Sequence, residues 1–307
     1  MIDSEHIQLV RKELDGNDDH QPDRAHRCRA MSVPPSQSRA HALAELRDAI
    51  GAIESTSADL VRKTPSPDAA NQPSESARTS APVISYPGMP EGKDWMRDLP
   101  AWCHDGENGF DRRLMEELAA VGVPCYTVND LTTVRSIPQG IPIFLDWLTH
   151  LEERVPGPET SHRESIRGNL IRNLNDAAAR GAPPVINALI NQLQRKPRPN
   201  IGVPDYAAHA LSRVATAQEF PQVAALLATL PADGPKGPLI EYLGKVKTPE
   251  ARDLALAYLD TEWAYYAIKA LIAMKAVGVR ARIVAHLSSP NSSVRRYARQ
   301  AMEKLPG

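Results

Sequence analysis

The sequence predicts an all-α protein, a stack of helical pairs forming an α-solenoid behind a long N-terminal arm, and three observations predict it. A short phrase recurs toward the C-terminus. Tyr206-Ala207-x-x-Ala210-Leu211-x-x-Val214 returns as Tyr266-Ala267-x-x-Ala270-Leu271-x-x-Met274 and again as Tyr297-Ala298-x-x-Ala301-Met302-x-x-Leu305. The spacings are 60 and 31 residues, and a degraded copy, Leu239-x-x-Tyr242-Leu243-x-x-Val246, lies within the longer gap. A period of about 30 residues, with apolar positions three, four and seven apart, marks helical repeats that bury one another's faces. Composition agrees: with 5% aromatic residues and only three Phe, the chain suits closely packed small-residue helices better than a sheet core. Its 27 prolines would disrupt a compact sheet but fit linkers and the first turns of helices.

Residues 1–93 read as a largely disordered arm. Pro34-Pro35 and the Pro-, Ser- and Ala-rich run from Thr64 to Gly92 bury too little apolar surface to offset the entropy of ordering. Within the arm a helix is expected over 38–63, where Leu43, Leu46, Ile50, Ile53 and Leu60 form one apolar stripe. That stripe is too short, and too interrupted by Ser57, for an autonomous coiled coil. It is either a marginal helix on the arm or one that docks to a partner.

Residues 94–136 form an N-terminal helical cap. Trp95 and Trp102 anchor it, Leu114, Met115, Leu118 and Ala119 mark a helix, and Val121-Gly122 stops that helix. Val128-Asn129-Asp130-Leu131 reads as a short link. Repeats fill residues 137–307. Pro142, Pro184, Pro221 and Pro249 open second helices, where a missing N–H leaves no intrahelical partner unsatisfied. The first helices are the recurring phrase, whose earliest copy is Ile166-Arg167-x-x-Leu170-Ile171-x-x-Leu174. The polar loop from Arg195 to Gly202 absorbs the extra length before the next copy. Alanine recurs because a small side chain at a helix crossing lets two backbones approach closely. The recurring tyrosine buries its ring between repeats while its hydroxyl reaches water.

The last copy, Asn291-Ser292-Ser293-Val294-Arg295-x-x-Ala298-x-x-Ala301-Met302-x-x-Leu305, resembles the first helix of a HEAT-type repeat. The variant is the short, PBS-lyase-type repeat of bacterial HEAT-like proteins. The middle of the chain is similar to a family of small bacterial HEAT-repeat proteins: Leu118–Pro124 and Val128–Leu131 precede a helix like Gly140-Ile141-Pro142-Ile143-Phe144-Leu145-Asp146-Trp147-Leu148. The resemblance covers roughly residues 110 to 305 and implies a right-handed HEAT-like α-solenoid of about five helical pairs with a binding role and no catalytic set. The chain departs from the pattern at Arg167, where alanine is expected, and at Pro238, where tyrosine is expected.

Charge and motif searches narrow the chemistry. The net charge of −1 and pI near 6.8 give no global pull toward nucleic acid or acidic membranes. The three cysteines are far apart without a CxxC pair, so no disulfide framework or thiolate zinc site is expected. Neither a secretory signal nor an 18-residue apolar span is visible, and a cytoplasmic location is the expectation. Cys103-His104-Asp105 puts a thiol, an imidazole and a carboxylate side by side, but catalytic pairs assemble in space rather than in sequence, so an ordinary loop is the simpler reading. His20, His26 and Cys28 lack a fourth ligand and a frame for zinc. Gly234-Pro235-Lys236-Gly237 lacks phosphate-loop spacing. No metal, cofactor or catalytic residue is therefore expected.

Binding is the remaining reading. From Glu262 onward, Lys269, Lys275, Arg280, Arg282, Arg295, Arg296, Arg299 and Lys304 outnumber Glu262 and Glu303. A charged face capping the last repeat explains such an excess; a dock for an acidic protein or nucleic acid, centred on Arg295, Arg296 and Arg299, is the sharper alternative. The resemblance implies that second helices line the concave side. On them Asn191, Arg195, Arg252, Leu256, Arg280, Arg282 and His286 form the candidate ridge for a partner. The expected function is a protein–protein interaction scaffold without catalysis. The alternatives are a nucleic-acid-binding HEAT-like protein, a toxin-neutralising immunity protein, and a lyase- or glycosylase-type HEAT-like enzyme, for which no catalytic acid can be placed.

Overall fold

The structure, a computed structural model, describes residues 84–306 apart from 93, 101, 102, 104–108 and 198–201. The expected helix at 38–63, His20, His26, Cys28, Trp102, His104 and Asp105 lie outside the described residues. The described residues hold twelve α-helices and no strand: α1 (Arg112–Ala120), α2 (Ile141–Thr149), α3 (Leu151–Arg154), α4 (Ser161–Leu174), α5 (Pro183–Gln194), α6 (Val203–Val214), α7 (Phe220–Thr229), α8 (Lys236–Val246), α9 (Pro249–Ala257), α10 (Ala264–Met274), α11 (Arg280–Val284) and α12 (Ser292–Lys304). Every copy of the recurring phrase is helical, falling on α4, α6, α8, α10 and α12.

These five helices form a row in which each packs on the next, and α2, α5, α7, α9 and α11 each pack on the member of the row that follows. The apolar positions of the phrase form the core of the row: Ile166, Leu170, Ala207, Leu211, Leu239, Leu243, Ala267, Leu271, Ala298 and Ala301 are all sealed from water. One contiguous apolar cluster runs the length of the row. Burial of this order, at about 25 cal/mol per Å² of apolar surface, is the main favourable contribution to such a fold.

Local chemistry sets the helix ends. Asp111 accepts from Arg113 N at the start of α1, and Gly122 ends it in the left-handed region with φ 80°. There Gly122 N bonds Ala119 O and Val123 N bonds Leu118 O, the paired bonds of a Schellman stop. Pro142, Pro184, Pro221 and Pro249 all lie in first turns as expected. Thr160, Thr248 and Asn291 cap α4, α9 and α12 through their side-chain oxygens. Pro238, where the repeat pattern wants tyrosine, sits in the first turn of α8 and leaves the helix intact.

The packed chain reaches further upstream than the boundary expected near residue 94. Ile84 and Tyr86 are buried, and the Tyr86 hydroxyl donates to Pro124 O at 2.8 Å. The arm's low mean apolarity conceals this anchor because two side chains suffice when a carbonyl waits for the hydroxyl. Trp95 packs edge-on against Tyr126, with ring centroids 5.4 Å apart.

Candidate partner-binding face

The residues of the expected ridge fall into different situations. Asn191 is exposed on α5. Arg195, just past α5, is committed to ion pairs with Glu152 and Glu159. Arg252 pairs with Asp253 at 2.8 Å, and Arg282 pairs with Asp260 at 3.0 Å. His286 Nε2 lies 3.7 Å from the same Asp260. Leu256 is half-buried against the core, and Arg280 is partly exposed at the start of α11. The ridge is therefore not a set of unengaged side chains: intramolecular carboxylates already hold much of its charge.

The basic end divides similarly. Arg295 donates to the carbonyls of Ser289 and Pro290, at 2.6 and 2.8 Å, and so fastens the turn that leads into α12. Arg296 stacks over the Tyr297 ring at 5.2 Å, and Arg299 is exposed.

A different face gathers more chemistry. In each copy of the phrase the residue immediately before the second small or apolar position is polar: Asn169, His209, Glu241, Lys269 and Gln300. These positions are equivalent in register on α4, α6, α8, α10 and α12, and those on α8 and α10 meet. Glu241 Oε2 accepts from Lys269 Nζ at 2.8 Å. Burial works against the charge of Lys269, but the hydrogen bond and charge of Glu241 outweigh it and raise its pKa. Burial lowers the pKa of His209, which Asp205 and Glu241 oppose and Arg213 and Lys269 reinforce.

Tyrosines flank this polar line. Lys269 Nζ sits 5.2 Å from the Tyr265 ring and 5.8 Å from the Tyr297 ring, and those rings meet edge-on at 5.0 Å. Tyr265 also meets Tyr266 edge-on at 4.9 Å. At the other end Arg172 lies 5.5 Å over the ring of Tyr206, which is 42% exposed. Burial pushes the hydroxyls of Tyr265 and Tyr266 up, so both remain neutral donors at physiological pH.

One glycine makes room for a tyrosine: a Cβ at Gly237 would fall 2.6 Å from the Tyr266 ring, whereas one at Gly168 would make only an ordinary contact with Tyr206 at 3.6 Å. Periodicity picks out Tyr206, Tyr266 and Tyr297 as spacers with buried rings, but Tyr206 is 42% exposed and Tyr265 lies outside the phrase. Periodicity misses the Glu241–Lys269 pair because it depends on charge complementarity between helices 28 residues apart. The readable signal is the recurring phrase position itself, filled in turn by Asn, His, Glu, Lys and Gln.

Burial and the Asp130 carboxylate push the Cys103 thiol up to about 11, leaving it protonated at neutral pH. Among the described residues, no three His, Cys, Asp or Glu side chains converge as metal ligands, and no helix is long and apolar enough to cross a membrane. Comparison with protein-family models, with curated proteins and with solved structures found no match for this chain.

Proposed function

We propose that this protein is a HEAT-like α-solenoid of about five helical pairs, right-handed as that repeat type implies, which acts as a protein–protein interaction scaffold. The observation that carries the reading is the register-matched line from His209 through Glu241 and Lys269 to Gln300, flanked by Tyr206, Tyr265 and Tyr297. Tyrosine and arginine dominate the anchors of protein interfaces because they present large, amphipathic area with little entropy to lose. The polar line gives such a surface both signs of charge, which favours a protein partner with its own mixed surface over a uniformly anionic one. Binding rather than catalysis fits a face of paired charges and neutral hydroxyls.

The test is affinity capture by the full chain from its native lysate, read by mass spectrometry, with wild type beside a Tyr265→Ala/Lys269→Ala/Tyr297→Ala variant. A stoichiometric protein is expected on the wild type and lost from the variant, while the variant's circular dichroism spectrum stays helical. Equal capture by both chains removes this face from consideration. Capture of nucleic acid that weakens steeply with salt and is lost in Arg296→Ala/Arg299→Ala favours the basic end instead.

A further inference from the structure

At α4, a buried arginine cluster carries more positive charge than its partners neutralise. Arg163 and Arg167 project from α4, Arg195 follows α5, Glu152 belongs to α3, and Glu159 lies in the loop before α4. Arg167 is fully buried: its guanidinium reaches Glu152 at 2.7 Å, Glu159 at 3.0 Å and the buried Gln192 amide oxygen at 3.3 Å. Arg163 is 4% exposed and reaches Glu159 at 3.5 Å, and donates to the carbonyls of Val155 and Gly157. Arg195 pairs with both carboxylates.

Three guanidiniums thus share two carboxylates, and one positive charge is left uncompensated among the described residues. A second observation points the same way: Arg163 Nε is buried and meets no acceptor. An unpaired donor on a cation in a low-dielectric site is costly, and a bound anion would relieve that cost. The mouth is open, since the side chains of Arg195, Glu159 and Glu152 are 24%, 27% and 40% exposed.

We infer that this cluster binds one oxyanion, a carboxylate or phosphoryl group held by the guanidiniums of Arg163, Arg167 and Arg195. Planar guanidinium forks match both geometries and hold them by charge-assisted hydrogen bonds. Arg195, the most accessible of the three, admits the anion, and Glu152 is the carboxylate against which it competes.

The experiment titrates the full chain with sodium phosphate or sodium acetate, holding ionic strength constant with chloride, and reads the melting temperature. Isothermal titration at a temperature where every variant is folded gives the same comparison independently of stability. A saturable rise with phosphate beyond chloride is expected, abolished in Arg195→Gln. In Glu152→Gln, which removes a competing carboxylate, binding should tighten by about tenfold, equivalent to about 1.4 kcal/mol. An equal response to acetate identifies a carboxylate ligand; a response to phosphate alone identifies a phosphoryl group. No effect beyond chloride, or a phosphate effect unchanged in Arg195→Gln, overturns the inference.

Discussion

Gly244 of α8 lies directly against Ala270 of α10. A Cβ at Gly244 would fall 3.0 Å from the Ala270 carbonyl oxygen, 3.1 Å from its Cα and 2.8 Å from the Ala273 Cβ. No flexible side-chain end can yield there; backbone and methyl groups bar the way. The alanine that recurs in the phrase thus faces a glycine, and the two helices cross at backbone contact.

Gly244→Ala therefore sets two effects against each other. Helix propensity gains about 1 kcal/mol, while overpacking a rigid crossing costs about 1–3 kcal/mol. The clash involves three rigid atoms, so a net loss of stability is expected. Ala270→Leu, with no propensity gain to offset it, should lose more. Urea unfolding followed by circular dichroism measures both, and a Gly244→Ala midpoint above wild type contradicts the crossing.

At the end of α10, Lys275 occupies the left-handed region with φ 54°, and its N–H together with that of Ala276 closes the helix onto Ile272 O and Leu271 O. This is the Schellman stop that Gly122 makes at α1, built on a residue that carries a Cβ. Lys275→Gly should relieve about 1 kcal/mol of backbone strain, offset in part by the greater freedom of glycine in the unfolded chain. A raised melting temperature is expected for this variant; Lys304→Gly, in the last turn of α12, is a poor control because glycine lowers helix propensity there. Lys275→Ala is the better one, since it keeps the Cβ and should show no gain.

The stack was legible because apolar residues three, four and seven apart leave their mark on one strand of sequence. Ala207, Ala267 and Ala298 are buried as the phrase requires, and the first-turn prolines open their helices. What was not legible is complementarity between distant segments. That Gly244 answers Ala270, or that Glu241 answers Lys269, depends on register across a helix interface. Arg195 looked like a free cation on a second helix because Glu152 and Glu159, which hold it, come from upstream segments. Tyr86 was hidden in a proline-rich stretch whose average composition outweighs one anchoring ring.

Arg167 stands where the repeat pattern wants alanine, yet it is fully buried. Arg167→Ala would restore the pattern and still damage the protein. It removes the cation that Glu152 and Glu159 share, and it leaves a cavity beneath Gln192. Removing one partner of a buried ion pair costs about 3–5 kcal/mol. Here Arg163 and Arg195 still balance the two partly exposed carboxylates, so a smaller loss of about 2 kcal/mol is expected, most of it the lost packing of the fully buried side chain. Chemical denaturation at neutral pH is the measurement, and a variant as stable as wild type would mean that the cluster contributes nothing to folding.

The same cluster gives stability a pH dependence with a definite sign. Burial pushes the Glu152 carboxyl up, but the hydrogen bond and charge of Arg167, with Arg195 adding to them, outweigh it and hold the group below the usual glutamate value of 4.5. The folded protein therefore holds on to the ionised form more strongly than the unfolded chain does. Its contribution is fully present above the unfolded value and is lost as pH falls from 4.5 through the lower folded value. Glu152→Gln lacks this titration. The stability difference between wild type and Glu152→Gln should be constant from pH 7 down to the usual glutamate range and then shrink as acid protonates the wild-type carboxyl. Urea midpoints across that series measure it at fixed ionic strength, and a difference that stays level through the acid range places the ionisation of Glu152 outside the folding equilibrium.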